Sequence, residues 1–391
     1  MENSFDIIIV GGGIVGVSIM YSLLEKKPKA RVLLIEKENS LAFHQTGHNS
    51  GVIHSGIYYE PNSLKAINCL NGYKDLIQLC NKNNIEYRLP GKLIAARNEF
   101  EENQLLFLKS RGEENGLENL QILNKSQIKD KEPYLNAKSV LHVPQTGIID
   151  YKKLTEYLAQ KIIQKGGNIF LNKKVTNIIE NVVYCGKDKY KGDKIIIASG
   201  VHSDKFSVKK NKYKILPFRG EYFKVSGKSK KLVQNIVYPV PDLNFPFLGV
   251  HFTNSINDTL EIGPNALLSF SKENYNHKLS FNFKDTIDIL SFKGLYPMVL
   301  NNLGFVKNEI KKSFFKKEFM KEIHSYYPFI NEDDISFSRS GIRAQICKKN
   351  GELVDDFIIE NNQYIINILN APSPAATSAL SISNQILNKY L

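Results

Sequence analysis

Residues 5–16 read FDIIIVGGGIVG and give the strongest indication of the fold. The β-branched run at 7–10 predicts a buried strand, and the glycines follow it without a spacer, where a strand passes into a helix. Gly11 permits the tight turn, Gly13 lets the backbone approach a pyrophosphate, and Gly16 lets the helix pack closely on the strand. The pattern therefore predicts a phosphate-binding turn.

A second strand and an acid complete this opening unit. The helix begins near Ile14, and its first turn offers unpaired amides and a partial positive charge to a diphosphate. The run VLLI at 32–35 then ends in Glu36, whose carboxylate can accept hydrogen bonds from a ribose diol. Strand, turn, helix, strand and acid in this order predict a site for an adenine dinucleotide. The alternative is a βαβ unit that binds nothing.

Composition limits the class of protein. At 391 residues the chain is long enough for two domains, and 42% hydrophobic residues support sizeable cores. The net charge of +13 favours an anionic substrate, a membrane surface or nucleic acid. Because no basic stripe interleaved with aromatic residues stands out, nucleic acid is not expected as a partner.

Cysteine usage and hydropathy predict the compartment. The four cysteines are too few and too widely spaced for a metal knuckle or a disulfide framework, which fits a reducing cytosol. The first strand starts close to Met1 without a signal peptide before it, and no segment is long and apolar enough to span a membrane. We therefore expect a cytoplasmic protein, with association with the inner face of a membrane left open.

The segment at 43–59 reads FHQTGHNSGVIHSGIYY and is unusually rich in histidine, glycine and small polar residues. Since it follows directly on the dinucleotide unit, we expect it to line the cofactor. The alternative is a turn-rich connection with exposed histidines. His44, His48 and His54 have metal-binding side chains, but no carboxylate or cysteine joins them locally, so no metal is predicted.

The centre of the chain alternates helices with strands. Apolar residues at helical spacing predict a core-facing helix between 62 and 83, and a charged surface helix is expected at 99–116. Strands are expected at 87–96 and at 169–171 and 175–179, the last two as a pair that returns to the first sheet. A further buried strand is expected at 194–200 and ends in the small residues Ser199 and Gly200.

The chain changes character from Pro217 onward. Long alternating strands rich in aromatic residues, at 218–225, 247–252 and 260–264, predict an antiparallel sheet in a second domain. Residues 284–327 are helical by pattern, and an amphipathic basic helix through 310–323 is suited to a membrane surface. Packing on its own domain is the commoner explanation of such a helix.

The last part of the chain repeats the order of strand, turn and helix seen at its start. Strands at 357–359 and 364–369 lead into NAPSPAAT at 370–377, and a helix is expected from about Ala375. The amides at the start of that helix would face a second anionic or electron-rich group, such as a reduced flavin ring.

These motifs together resemble the L-2-hydroxyglutarate oxidase/dehydrogenase family of FAD enzymes, within the D-amino-acid-oxidase-like group. The resemblance runs from residue 5 to about residue 385 and rests chiefly on the histidine-rich segment, PFRGEYF, FLGVH, GIRAQ and NAPSPAATSA. It implies an α/β fold in which a Rossmann-type FAD-binding domain carries an inserted α+β substrate domain on a largely antiparallel sheet. The implied FAD-binding domain comprises residues 1–80, 145–215 and 335–391, and the substrate-binding domain comprises 81–144 and 216–334.

The resemblance also assigns roles to residues of this chain. Those implied to bind FAD are Gly11, Gly13, Ile14, Val15, Gly16, Glu36, Lys37, Thr46, Asn49, Ser50, Gly51, Val175, Ser199, Gly200, Pro372, Ser373, Pro374 and Ala375. Arg343 matches the arginine that relatives use to hold a substrate carboxylate. Arg219 and Tyr222 are candidates for the distal carboxylate, and a buried ion pair with Glu221 is the alternative for Arg219.

The implied reaction is oxidation of a 2-hydroxy dicarboxylate such as L-2-hydroxyglutarate to the 2-oxo acid. A base must take the hydroxyl proton, and histidine suits that task. His54 is the first candidate and His251 the second, since a histidine flanked by aromatics on a strand is often only packed. The electron acceptor is left open between oxygen, a membrane quinone and a partner protein.

Two other functions remain open. A related FAD enzyme would act on an amino acid or glycerol 3-phosphate. A non-catalytic or nucleic-acid-modifying flavoprotein has only the +13 charge in its favour.

Overall fold

The structure, a computed structural model, describes residues 4–209, 212–242, 249–275 and 281–391. The strands are β1 (Ser4–Val10), β2 (Val32–Ile35), β3 (Val52–Ile53), β4 (Tyr87–Arg88), β5 (Lys92–Ala96), β6 (Gln121–Leu123), β7 (Ser139–Val143), β8 (Gly147–Ile149), β9 (Asn168–Phe170), β10 (Asn177–Ile179), β11 (Val182–Cys185), β12 (Asp188–Ile197), β13 (Tyr213–Val225), β14 (Ile236–Pro239), β15 (His251–Asn254), β16 (Leu260–Gly263), β17 (Leu267–Leu268), β18 (Ile335–Lys348), β19 (Leu353–Val354), β20 (Ile358–Asn361) and β21 (Ile365–Asn370). The helices are α1 (Ile14–Lys26), α2 (Leu64–Asn83), α3 (Glu99–Glu114), α4 (Lys125–Lys131), α5 (Tyr151–Gln164), α6 (Phe283–Leu290), α7 (Leu295–Asn301), α8 (Leu303–Phe314), α9 (Lys316–Tyr326) and α10 (Ala379–Tyr390).

The first sheet has eight strands and a parallel centre. β1 lies between β2 and β12, and β21 pairs with the carboxyl end of β12. All three of these pairings are parallel. The β-branched residues of β1 are almost completely buried, because helices α1, α5 and α10 cover one face of the sheet and Val183 and Cys185 of β11 pack against β1 on the other. The predicted opening unit is present with the predicted helix start at Ile14.

The expected pairing of the strands at 169–171 and 175–179 is wrong, although both belong to the first sheet. β9 lies beside β2 at one edge, whereas β10 lies at the other edge and pairs with β11. A two-residue turn joins β10 to β11. Strands joined by so short a turn pair with each other as a hairpin, so β10 pairs with β11 and not with β9.

The second sheet has ten strands and is largely antiparallel. Its longest pair joins β13 to β18, from Tyr213 opposite Lys348 to Val225 opposite Ile335. The expected domain boundary at 335 separates these two paired strands, and we therefore propose that the first domain resumes after β18. The expected strand at 87–96 is divided into β4 and β5 by Gly91, which has a φ of +77°. Residues 247 and 248 of another expected strand lie outside the described residues.

The expected amphipathic helix through 310–323 is two helices, α8 and α9, that meet at Phe315. Phe319 and Ile323 of α9 are buried in the core, whereas Phe314 and Phe315 are exposed. The chain bends at this point because α9 turns its apolar face inward onto the second sheet.

Candidate active site

A cavity of about 580 Å³ lies between the two sheets. Its floor is the carboxyl edge of the first sheet, where β1, β2, β12 and β21 end, and its roof comes from β13, β14, β15 and β18. Open parallel sheets bind ligands at this edge. Gly341 of β18 allows the close approach of the two parts, since a Cβ there would lie 2.6 Å from the carbonyl oxygen of His48.

The glycine turn forms the first wall of the cavity. Gly11 has a φ of +116°, and a Cβ on it would lie 2.3 Å from the carbonyl oxygen of Ala198, which directly follows the neighbouring strand β12. A Cβ on Gly16 would lie 2.1 Å from the Gly11 carbonyl oxygen, so Gly16 faces the turn and does not line the cavity. Thr46 Oγ1 accepts a hydrogen bond from Ile14 N at 3.0 Å and thereby joins the histidine-rich segment to the start of α1.

Glu36 occupies the predicted position at the end of β2. Glu36 is 8% exposed, and its carboxylate accepts hydrogen bonds from Gly12 N at 2.7 Å and from Glu38 N at 2.9 Å. An ionised carboxylate has about four lone-pair positions, so acceptor capacity remains for a ribose diol. Glu36 also lines the cavity, as the role implied by the resemblance requires.

The histidine-rich segment follows the cavity wall as expected. Its cavity-lining residues are Phe43, His44, Gln45, Thr46, His48, Asn49, Ser50, Val52 and His54. The Asn49 amide donates to the Thr46 carbonyl at 2.7 Å and accepts from Gly51 N at 2.8 Å. Asn49 therefore also maintains the local turn, and Gly51, with a φ of +70°, supports it from outside the cavity.

A cluster of charged side chains spans the cavity near Glu36. Glu273 Oε1 lies 2.8 Å from Lys37 Nζ and 2.7 Å from His202 Nε2, and His44 Nε2 lies 2.9 Å from Glu38 Oε1. Burial raises the pKa of Glu273, but hydrogen bonds from His202 and Lys37 outweigh it and hold that pKa well below its usual range. Glu38, His44 and Glu273 are spaced for a metal ion, but the Lys37 ammonium bonds to all three. The cluster is therefore an ion-pair network that joins the two parts of the chain.

The turn after β21 forms the opposite end of the cavity. Pro372, Ser373, Pro374 and Ala375, the FAD contacts that the resemblance implies, all line it. The expected helix start near Ala375 is wrong, because a turn covers 373–378 and α10 begins at Ala379. Proline disfavours helical backbone at the preceding residue, and two prolines here delay the helix. The amides at the start of α10 are thus displaced from the predicted position.

Thr377 connects this turn to the histidine-rich segment. Its hydroxyl oxygen accepts a hydrogen bond from His54 N at 3.1 Å and lies 2.8 Å from the Tyr151 hydroxyl. Tyr151 in turn donates to the Val52 carbonyl at 3.2 Å. The backbone of His54 is therefore held at a defined position beside the turn.

Both candidate bases lie in the cavity. Burial lowers the pKa of His54 and of His251 to about 3, with smaller contributions from the charges of Lys92 and Arg343. His251 Nδ1 lies 3.0 Å from the Gly249 carbonyl oxygen, which can only accept, so Nδ1 carries the proton and Nε2 is left as an acceptor. Both imidazoles are neutral near pH 7, the state in which histidine can accept a proton.

The strand register separates the two candidate arginines. On the β13–β18 pair, Arg343 lies opposite Phe218 and Arg219 lies opposite Ile342, so the arginines project from opposite faces of the sheet. Arg343 and Tyr222 line the cavity, whereas Arg219 does not. Arg219 Nη1 lies 2.8 Å from Glu221 Oε1 and both residues are buried, so the alternative ion pair replaces the expected carboxylate-binding role.

Sequence reasoning missed several side chains at this end of the cavity. Lys65 and Asp355 line it and form an ion pair at 2.7 Å, and Tyr238 lies against the His251 ring at 4.1 Å. Lys92 is 1% exposed between the rings of Tyr58 and Tyr238, and burial lowers its pKa to about 7. Lys92 had a signal in the sequence, because it is a lysine within the otherwise apolar strand β5. Lys65, at the first turn of an ordinary helix, has no such signal.

The remaining cavity residues fit the two ends of FAD. Val175, Ser199, Gly200, Lys37 and Val15, which the resemblance implies as FAD contacts, also line the cavity. The acid and the α1 amides suit an adenosine diphosphate, and the extent of the cavity from there to the turn at 372–375 leaves room for a flavin beyond it.

Comparisons with known proteins agree with this geometry. The family model of FAD-dependent oxidoreductases called DAO matches residues 6–383. The L-2-hydroxyglutarate dehydrogenase of Indibacter alkaliphilus is 42% identical over 98% of this chain and 98% of its own length. The mitochondrial L-2-hydroxyglutarate dehydrogenase of Homo sapiens is 38% identical over 99% of this chain and 89% of its own length.

Solved structures share the fold. The L-α-glycerophosphate oxidase of Mycoplasma pneumoniae, with FAD bound, has a TM-score of 0.78 and 26% identity, covering 99% of this chain and 94% of its own. Glycine oxidase from Bacillus cereus has a TM-score of 0.72 at 18% identity, covering 98% of this chain and 96% of its own. The expected fold class and FAD cofactor are confirmed. This chain therefore belongs to the L-2-hydroxyglutarate dehydrogenase family of FAD-dependent oxidoreductases.

Proposed function

We propose that this enzyme oxidises L-2-hydroxyglutarate, or a similar 2-hydroxy dicarboxylate, to the 2-oxo acid. The observation that supports the proposal is the convergence of Arg343, His54 and His251 on one end of the cavity, opposite the dinucleotide turn. FAD, when bound, accepts the two electrons that the substrate loses. The rest of the mechanism depends on side chains of this chain.

Arg343 binds the carboxylate beside the reacting carbon. Its guanidinium presents two parallel N–H donors that match a carboxylate, which fixes both the position and the orientation of the substrate. Tyr222, on the same face of the strand pair, is the neighbouring hydrogen-bond donor. Since Arg219 does not reach the cavity, we propose Lys65 for the distal carboxylate, with Asp355 as the partner from which it is recruited.

His54 accepts the proton of the substrate hydroxyl. The hydrogen bond from its backbone to Thr377 holds it beside the turn that the resemblance assigns to the flavin. A dianionic substrate favours the protonated imidazole, and this opposes the effect of burial on the pKa. His251 is the second candidate, with Nε2 as the accepting atom.

Anaerobic titration of the purified holoenzyme with L- and D-2-hydroxyglutarate tests the proposal. We expect the L enantiomer to bleach the flavin absorbance stoichiometrically and the D enantiomer to have little effect. Absence of bleaching by the L enantiomer would refute the proposed substrate.

Glycerol 3-phosphate is a second candidate, supported by the similarity to the M. pneumoniae glycerophosphate oxidase. The same titration with glycerol 3-phosphate, glycine, sarcosine and proline separates these substrates. Bleaching by one of them but not by L-2-hydroxyglutarate would establish the alternative.

We propose oxygen or a membrane quinone as the electron acceptor. Oxygen consumption during turnover, compared with reduction of a soluble quinone analogue, distinguishes them. Turnover that continues without oxygen in the presence of the quinone would identify the quinone as sufficient.

A further inference from the structure

Lys92 is a cation enclosed within the second sheet. It begins β5, whose five residues are all buried, and it pairs with Ile236 of β14 on one side and with Val143 of β7 on the other. The residue is 1% exposed. Lysine is almost never buried to this extent without an anion, because the removal of an ammonium group from water costs a large free energy. The charge of Lys92 therefore needs a compensating partner.

Two aromatic rings supply part of that compensation. The Lys92 ammonium lies 4.3 Å from the centroid of the Tyr58 ring and 4.9 Å from the centroid of the Tyr238 ring, and the ring faces attract a cation. The Cys69 thiol would favour the charged lysine, but burial raises the pKa of that thiol to about 12, so it is neutral at pH 7. No carboxylate of the described residues forms an ion pair with Lys92. An anion is the missing part of its surroundings.

Lys92 lies behind the end of the cavity that holds the candidate bases. The Tyr238 ring contacts the Lys92 ammonium and stacks on the His251 ring, with 4.1 Å between the two centroids and 28° between the planes. Tyr238, His251 and His54 line the cavity, whereas Lys92 does not. Tyr238 thus connects the buried ammonium to the wall of the cavity.

We propose that Lys92 supplies positive charge to a dicarboxylate bound in this end of the cavity, and that it takes up a proton when the dianion binds. The inference rests on the proposed function, because that function brings the anion. The ligand carries two negative charges and Arg343 carries one positive charge, whereas Lys65 is already paired with Asp355. A protonated Lys92 balances the remaining charge across a wall of low dielectric. Because it does not contact the ligand, Lys92 is a positioning residue.

The pH range from 7 to 8.5 isolates Lys92 from its neighbours. Burial lowers the pKa of Lys92 to about 7, so the free enzyme loses this charge within the range. The other titratable groups around it change charge elsewhere. Burial lowers the pKa of both histidines to about 3 and raises the pKa of the thiol and of the two phenols, the groups in question being His54, His251, Cys69, Tyr58 and Tyr238.

Binding of glutarate to the oxidised holoenzyme tests the proposal. Glutarate has the two carboxylates of the proposed substrate but no hydroxyl group, so it binds without reducing the flavin, whose absorbance change reports Kd. We expect Kd to rise about tenfold from pH 7 to 8.5, because the free enzyme loses the proton that the complex retains. In weakly buffered solution at pH 8, each bound glutarate should take up about one proton. Constant Kd and no proton uptake would overturn the proposal.

Variants assign the proton to Lys92. Lys92→Met keeps the length of the side chain without the charge, and it should raise Kd at pH 7 at least fivefold and abolish both the pH dependence and the proton uptake. The matched control is Lys65→Met, which removes a cation that lines the cavity. It should weaken glutarate binding at every pH and keep the pH dependence. Proton uptake that persists in Lys92→Met would assign the proton to another group, such as His54, and overturn the proposal.

A second variant covers the case in which Lys92→Met does not retain FAD. Lys92→Arg keeps the charge, and a guanidinium does not lose its proton in this pH range. Glutarate should therefore bind to Lys92→Arg with the same Kd at pH 7 and at pH 8.5. The wild-type pH dependence in this variant would contradict the role of Lys92.

The result is separable from the identity of the substrate. Flavin bleaching by L-2-hydroxyglutarate together with pH-independent glutarate binding would overturn the role of Lys92 and leave the proposed function in place. Absence of both bleaching and glutarate binding would overturn the two proposals together. Bleaching with the expected pH dependence, lost in Lys92→Met and kept in Lys65→Met, would support both.

Discussion

Arg343 is the residue that, in the proposed function, binds the substrate carboxylate beside the reacting carbon. It lies on β18 with its neighbours fixed by the long pairing with β13, so its position in the cavity is set by the sheet. A planar guanidinium binds both oxygens of a carboxylate at once, whereas an ammonium is a point charge that does not fix its orientation.

Arg343→Lys should therefore raise KM for L-2-hydroxyglutarate by roughly 10- to 100-fold, a loss of about 1.4 to 3 kcal/mol. FAD content should be unchanged, because Arg343 lies at the end of the cavity away from Glu36. Steady-state kinetics with a dye acceptor measure the effect, and Arg97→Lys on the protein surface is the control. A KM near the wild-type value would exclude the proposed carboxylate contact.

His54 and His251 are separated by their effect on the reductive step. Removal of a general base slows that step by about 10²- to 10⁴-fold. We expect this loss in His54→Asn, and a smaller loss in His251→Asn, whose ring packs against Tyr238. Anaerobic stopped-flow measurement of flavin bleaching gives the rates. A larger loss in His251→Asn would exchange the two roles, and unchanged rates in both would remove histidine from the reaction.

The contact between α1 and the glycine turn has the tightest geometry of the dinucleotide unit. A methyl group on Gly16 would lie 2.1 Å from the Gly11 carbonyl oxygen, so α1 would have to move away from β1. Gly16→Ala should lower the free energy of unfolding by roughly 1–3 kcal/mol. It should also weaken FAD binding, since the first amides of α1 move with the helix.

Gly304→Ala is the matched control for this prediction. Gly304 lies in α8, and no atom lies within 4 Å of the position that a Cβ would take there, so alanine should stabilise the helix by roughly 0.5–1 kcal/mol. Urea unfolding and FAD fluorescence titration measure both variants. Wild-type FAD affinity in Gly16→Ala would contradict the role assigned to the close contact.

Local patterns explain which elements were predictable. The start of α1 at Ile14 and the extent of α2 follow from signals within each segment. The partner of β10 does not, because strand pairing depends on the rest of the sheet. Likewise, two prolines next to small residues marked a turn but did not show that α10 begins only at Ala379.

Among the cavity residues, too, those in local motifs were predictable, whereas those that depend on long-range contacts were not. The glycine turn, Glu36 and the histidine-rich segment are contiguous motifs and were predicted. Arg219 was misassigned because its direction depends on the register between β13 and β18, which the sequence does not display. Lys65 and Asp355 are 290 residues apart, so only the assembled fold brings them together.

At the scale of the whole molecule, burial of neutral histidines makes stability depend on pH. The pKa of His54 and of His251 falls from 6.5 in the unfolded chain to about 3 in the folded protein. Between these values the unfolded state binds more protons, so stability is complete above pH 6.5 and declines as the pH falls toward 3.

Each histidine should lower the free energy of unfolding with a slope that approaches about 1.4 kcal/mol per pH unit below pH 6.5. For both histidines together, the free energy of unfolding should fall by roughly 2 kcal/mol between pH 6.5 and 5.5. The lowered carboxyl pKa values of Glu38 and Glu273 add a further loss only below about pH 4.5. Urea unfolding of the FAD-saturated protein at both pH values measures the slope. The double variant His54→Asn and His251→Asn should flatten it, and an equal slope in the variant would contradict the assignment.

The parallel pairing of Ile195 with Ile365 has a consequence for synthesis of the chain. All of β13 to β19 lies between these two residues, so the ribosome must produce most of the second sheet before β21 exists. At about 5–20 residues per second this interval is on the order of 10 s. During it, the end of β12 is an uncovered sheet edge available to other nascent chains. Aggregation is therefore a hazard of translation for this enzyme, and one that holding chaperones would relieve.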